Sequence, residues 1–213
     1  PLSLGAVFRP GTPPTPGLPD GWAWILPGSG FIDLQESEVM LGDIEDPGLF
    51  GGDAGPLSVT LRTSNGAGLT FVRTETGGYV PGLSDGTATA YSRGGVLTRM
   101  SPGVWQLSTP DGSMTRFVDG RAVSEWAGGE PVADFTWDEQ GRLSSVSDGI
   151  SRTTSLAYAG GACPATDWGN GFDVADGMWC AATYADGTVT GVGYVGGRIS
   201  LIADPGGLGT GFG

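Results

Sequence analysis

The chain has 213 residues, enough for one large or two small domains with a real core. Its 41 Gly and 15 Pro would suit disorder, but seven Trp, eight Phe and five Tyr in alternating apolar segments, with Gly mostly beside Asp or Asn, read as a β protein. All ten basic residues are Arg and the net charge is −13, which removes His- and Lys-based catalysis, imidazole metal ligands and a Lys–Asn crosslink, and disfavours nucleic acid and anionic lipid as partners.

Residues 1–20 hold six of the prolines, so this segment forms neither ladders nor helical turns and runs extended, as a linker or as an ordered strap. The stretch Gly21-Trp22-Ala23-Trp24-Ile25-Leu26 reads as an aromatic strand. Residues 33–41 have helix-like composition, but suit equally a strand with Leu34, Glu36 and Glu38 on one face. Residues 42–56 form a loop in which Asp43, Glu45, Asp46 and Asp53 offer oxygen ligands to Ca²⁺. Their spacing matches no EF-hand, and a solvated acidic loop is the plainer reading. Val59 with Leu61, and Leu69 with Phe71, alternate on either side of Asn65-Gly66, a hairpin signal. Tyr79-Val80-Pro81-Gly82 and Asp85-Gly86 mark further turns, and Trp105 and Leu107 share one face of another strand.

From Pro110 onward the chain repeats itself. Asp111-Gly112 precedes Thr115 and Phe117, Asp148-Gly149 precedes Thr153, Leu156 and Tyr158, and Asp186-Gly187 precedes Thr188, Thr190 and Tyr194. Gly-Arg pairs start at 120, 141 and 197, and the longer second interval leaves room for an insertion at about 159–183. Asp-Gly occurs seven times, at 20, 85, 111, 119, 148, 176 and 186, and suits two-residue type I′ hairpins. Cys163 and Cys180 flank the Gly/Asp-rich insertion; a disulfide is expected, with two buried free thiols as the alternative. No signal peptide or apolar membrane span is evident. The chain starts at Pro1 and stops in a Gly-rich run, and reads as a fragment of a longer secreted protein.

The segment Trp137-Asp138-Glu139-Gln140-Gly141-Arg142-Leu143-Ser144-Ser145-Val146, followed by Asp148-Gly149 and Tyr158, resembles the unit of the RHS/YD-repeat family. A third copy, Tyr194-Val195-Gly196-Gly197-Arg198-Ile199, departs from it by lacking the Asp after the aromatic. The Cys-flanked insertion is similar to those of secreted actinobacterial members. The chain is accordingly divided into the Pro-rich segment at 1–20 and, over the part the resemblance covers, a β-hairpin region at 21–110 and repeats at 111–213. It implies an all-β chain of antiparallel hairpins, forming a curved or spiralling sheet that is part of a hollow shell. In this family such shells enclose a C-terminal toxin, or serve adhesion in teneurin-like proteins. No residue matches the family's self-cleaving segment, so the resemblance carries over no catalytic residue.

The expected function is therefore structural: a piece of a secreted shell that encapsulates or presents a toxin or effector, whose partner is the remainder of its own polypeptide. The alternative is an extracellular binding or adhesion module for a glycan or cell-surface partner. Trp22, Trp24, Trp168 and Trp179 are the aromatics available for stacking on sugars, though in a β protein such residues more often lie in the core. Arg142 and Arg198 are expected to pack over Trp137 and Tyr194. No enzyme activity, cofactor, metal or membrane insertion is expected.

Overall fold

The computed structural model describes residues 5–8, 10, 14–26, 31–37, 55–63, 68–82, 95–161, 163, 174–205 and 209–211. Among these the chain is all β, with no helix. β1 (Gly5–Phe8) and β2 (Trp22–Ile25) form a two-stranded sheet. An antiparallel meander follows: β3 (Phe31–Ser37), β4 (Ser58–Thr63), β5 (Gly68–Arg73), β6 (Tyr79–Pro81), β7 (Val96–Ser101), β8 (Val104–Ser108), β9 (Met114–Val118) and β10 (Arg121–Ala127). Then come β11 (Glu130–Trp137), β12 (Leu143–Asp148), β13 (Thr153–Tyr158), β14 (Trp179–Thr183), β15 (Val189–Val195), β16 (Arg198–Ala203) and β17 (Gly209–Gly211). The stretch read as helix-like at 33–41 is a strand as far as it is described, because Leu34 is buried against Leu61 of β4. The Asn65-Gly66 turn, Asp85-Gly86 and the acidic loop 43–53 lie outside the described residues, although the strands flanking Asn65-Gly66 pair as expected.

The chain divides into two compact units, with the division inside β11. One holds Ile25–Ala133, hence β3 to β10. Buried residues recur at every second position in β4, β8 and β9, the period that places alternate side chains on the same face. The buried apolar residues on these strands are Leu34, Val59, Leu61, Phe71, Tyr79, Leu97, Trp105, Leu107, Phe117 and Ala122, joined by the polar Ser58, Thr115, Ser124 and Glu125. β10 pairs along its length with β9, and at Arg121 it also pairs with Asp33 of β3. Leu34 N–H donates to the Gly120 carbonyl at the same seam, at 2.8 Å. The meander thus curls until its last strand meets its first. Trp105 packs edge-on against Tyr79 at 4.8 Å, and its indole N–H donates to Glu36 Oε1 at 2.6 Å. That bond links β8 to β3, which are not neighbours in the ladder.

The other unit holds Ala6–Trp24 and Asp134–Gly213. Its strands β12 to β17 form a second meander. Here β14 and β15 lose the alternation: Trp179 to Ala182, and Thr190 to Tyr194, are buried on both faces. Small side chains permit this, since Ala and Gly leave room for covering segments on either side. One cover is the Pro-rich segment, an ordered strap where it is described. Leu18 and Trp24 are buried, Trp179 N–H donates to the Gly17 carbonyl at 2.8 Å, and the Trp24 and Trp179 rings meet edge to face at 5.0 Å.

Candidate functional site

The turns build the repeat. Five connections share one hydrogen-bond pattern: Thr74–Gly78, Thr109–Ser113, Asp138–Arg142, Asp148–Arg152 and Tyr184–Thr188. In each, the first residue's N–H donates to the fifth residue's carbonyl, and the fourth residue's N–H donates to the first residue's carbonyl. The fourth residue sits in the left-handed region: Gly77, Gly112, Gly141, Ser151 and Gly187. These are three-residue hairpin loops ending in a left-handed residue, not the two-residue turns that Asp-Gly predicts. Of the described Asp-Gly pairs, Asp119-Gly120 alone has positive φ at both residues, 47° and 78°. Asp111-Gly112 and Asp186-Gly187 fill the third and fourth loop positions, whereas Asp148-Gly149 fills the first and second. Loop length, which the flanking strands dictate, decides where the left-handed residue falls.

Asp138 and Asp148 begin their loops in the same way. Asp138 Oδ1 accepts from the N–H groups of Gln140 and Arg142, and Oδ2 accepts from Arg142 Nε at 2.7 Å. Asp148 repeats this with Ile150 and Arg152, again at 2.7 Å for Nε. Burial raises the Asp138 carboxyl, but the Arg142 N–H and guanidinium outweigh it and hold the group below its ordinary value. Asp148 is lowered against burial in the same fashion by Arg152. Asp186 does different work: its Oδ1 accepts from the Thr188 hydroxyl and then from the Thr188 N–H, which lowers its pKa. The Arg142 guanidinium packs over an aromatic ring, but that ring is Tyr158 at 4.4 Å, not Trp137. Arg198 does not cover Tyr194. The two-residue turn Gly196-Gly197 pairs Val195 with Arg198 and Tyr194 with Ile199, so alternation puts Tyr194 and Arg198 on opposite faces.

The tyrosines close the repeat. Tyr158 O–H donates to the Leu143 carbonyl at 2.6 Å, and Tyr194 O–H donates to the Trp179 carbonyl at 2.6 Å. Both bonds reach back 15 residues. The hairpins around them superpose in register: Val146 faces Thr154 and Ser147 faces Thr153, while Ala182 faces Thr190 and Thr183 faces Val189. Every one of these positions recurs 36 residues later, as Tyr158 does at Tyr194. The structural repeat is therefore the hairpin pair β12–β13 and β14–β15, which the Gly-Arg intervals do not follow. The segment read as an insertion at 159–183 contains β14, so the extra chain lies between Tyr158 and Trp179. Cys163 of this extra chain and Cys180 of β14 form the expected disulfide, with Cα atoms 5.9 Å apart. Closing a loop of this size restricts the unfolded chain by about 3 kcal/mol.

Burial, helped by Asp138, pushes the Tyr158 phenol well above its ordinary range, and burial does the same to Tyr194. Both remain O–H donors at any physiological pH, so they clamp carbonyls and do not act as bases. Among the described residues no three metal-ligating side chains cluster. The same unit carries a cavity of about 830 Å³, lined among others by Phe8, Asp20, Trp22, Met178, Arg198 and Ile199. Of the four tryptophans considered for sugar stacking, Trp24 and Trp179 are core, Trp168 lies outside the described residues, and Trp22 lines this cavity. Sequence reasoning missed that Phe8, Met178 and Ile199 line a common cavity; they are scattered along the chain, Phe8 and Met178 carry no motif, and Ile199 figures only as the end of the third repeat copy. The one local signal is Phe8 standing apolar inside the Pro-rich segment. No known protein-family model matches the chain, and no curated protein matches it either.

Proposed function

We propose that this chain is a section of wall in an RHS/YD-repeat shell, part of a secreted protein that encloses or presents a C-terminal toxin or effector. The observation that supports this reading best is the hairpin that returns 36 residues later with its tyrosine clamp, Tyr158 to Leu143 and Tyr194 to Trp179. Units of this kind are stable when stacked on copies of themselves, so their natural product is an extended surface. The turn aspartates and the clamping tyrosines hold backbone groups in place. No reaction is assigned. The Cys163–Cys180 disulfide, and the lack among the described residues of a helix able to cross a membrane, fit an extracellular protein. The partner is the remainder of the same polypeptide. Limited proteolysis of the parent polypeptide tests this. Its C-terminal segment is expected to survive a protease that degrades the same segment produced alone, and negative-stain images are expected to show a hollow particle. Equal digestion of both, with no hollow particle, overturns the reading.

A further inference from the structure

The cavity of about 830 Å³ stands apart from the repeat clamps and is not used by the wall reading. Its size lies within the range of small-molecule sites. One side carries Phe8 from β1 and Trp22 from β2, with ring centroids 5.8 Å apart and planes tilted by 50°. Phe8 is 53% exposed, an unusual position for a phenylalanine that has a neighbouring ring to bury against. Met178 and Ile199 extend the apolar wall. Among the described residues, the charged lining is one carboxylate, Asp20, and one guanidinium, Arg198. Both residues are exposed, and neither side chain has a hydrogen-bond or ion-pair partner among the described residues. The Gly196-Gly197 turn also borders the cavity, and a Cβ added at either residue meets open space, so their peptide groups are reachable.

We infer that this cavity binds a neutral saccharide. A pyranose has an apolar C–H face that lies on an aromatic ring, and a rim of hydroxyls that both donate and accept hydrogen bonds. Trp22 and Phe8 supply the platform, Asp20 accepts from one hydroxyl and Arg198 donates to another. A purely apolar ligand would desolvate Asp20 and Arg198 with nothing to replace their water. An anionic ligand would meet one cation against a chain of net charge −13. Among the described lining residues one carboxylate and one guanidinium offset each other, and a neutral, hydroxyl-rich ligand is the complement.

Saturation-transfer NMR and calorimetry on the full chain test this, with cello-, chito- and manno-oligosaccharides as probes and a heparin-derived oligosaccharide as the anionic comparison. At least one neutral probe is expected to bind. Trp22→Ala is expected to weaken that binding about tenfold, in line with the loss of one stacked ring. Arg198→Ala is expected to weaken it about threefold through one lost hydrogen bond. Arg198 is exposed, so its variant keeps the wild-type melting curve and guards against misreading a folding defect in Trp22→Ala. No neutral binding at millimolar probe, binding of the anionic probe alone, or binding that both variants leave unchanged overturns the inference. None of these outcomes depends on the protease result for the wall, so the two readings fail separately.

Discussion

Ser151 holds a backbone conformation that four sister turns give to glycine, with φ at 65°. A left-handed L-residue costs about 1–2 kcal/mol, and the extra unfolded-state freedom of glycine returns only part of that on substitution. Ser151→Gly is therefore expected to stabilise the chain by about 0.5–1 kcal/mol, and Gly141→Ala at the matching position to destabilise it by about 1 kcal/mol. Urea melts of the two variants check this, and the signs should be opposite. The sequence shows a turn near 148 but points at the wrong residue. Gly149 stands out in the pattern, yet it occupies the second loop position and has no positive φ. The dipeptide is local, whereas the register of β12 against β13 that sets loop length belongs to the whole hairpin.

The hairpins were legible from alternation wherever one face is buried. Val59 with Leu61, and Trp105 with Leu107, are inward pairs as read. At 33–41 composition suited a helix and a strand equally, and pairing with β4 decides for a strand over the described residues 33–37. The period of the repeat was hidden for a different reason. Leu143 is replaced by Trp179 and Val146 by Ala182, so the side chains differ while the backbone register is kept. What survives is the tyrosine at the end of each unit. If the two units are equivalent, Tyr158→Phe and Tyr194→Phe should cost similar amounts, about 1–2 kcal/mol each, because each leaves a buried carbonyl without its donor. Denaturant midpoints measure this. A large cost at one site and none at the other would show that the clamps are unrelated.

Across the molecule, Asp111, Asp138, Asp148 and Asp186 are all held below the ordinary value of 3.8 by turn hydrogen bonds, with Arg partners added at Asp138 and Asp148. A carboxylate with a depressed folded pKa contributes stability above its unfolded pKa and loses it as pH falls through the folded value. The melting temperature is therefore expected to fall below about pH 4, and the fall should be shallower in Asp138→Asn, which has one such group fewer. Relief of general repulsion on acidification acts alike on both proteins and cancels in the difference. A scan of melting temperature against pH for the two proteins reads it directly. A last consequence concerns the order of events during synthesis. In the unit spanning Ile25–Ala133, β3 meets one neighbour as soon as β4 is made, but it meets Arg121 only after every intervening strand exists. Each hairpin zips within microseconds, while this final pairing joins the most distant parts of the unit. A nascent chain paused before Arg121 carries an unmatched strand at Asp33, open to the same strand of the chain on the next ribosome.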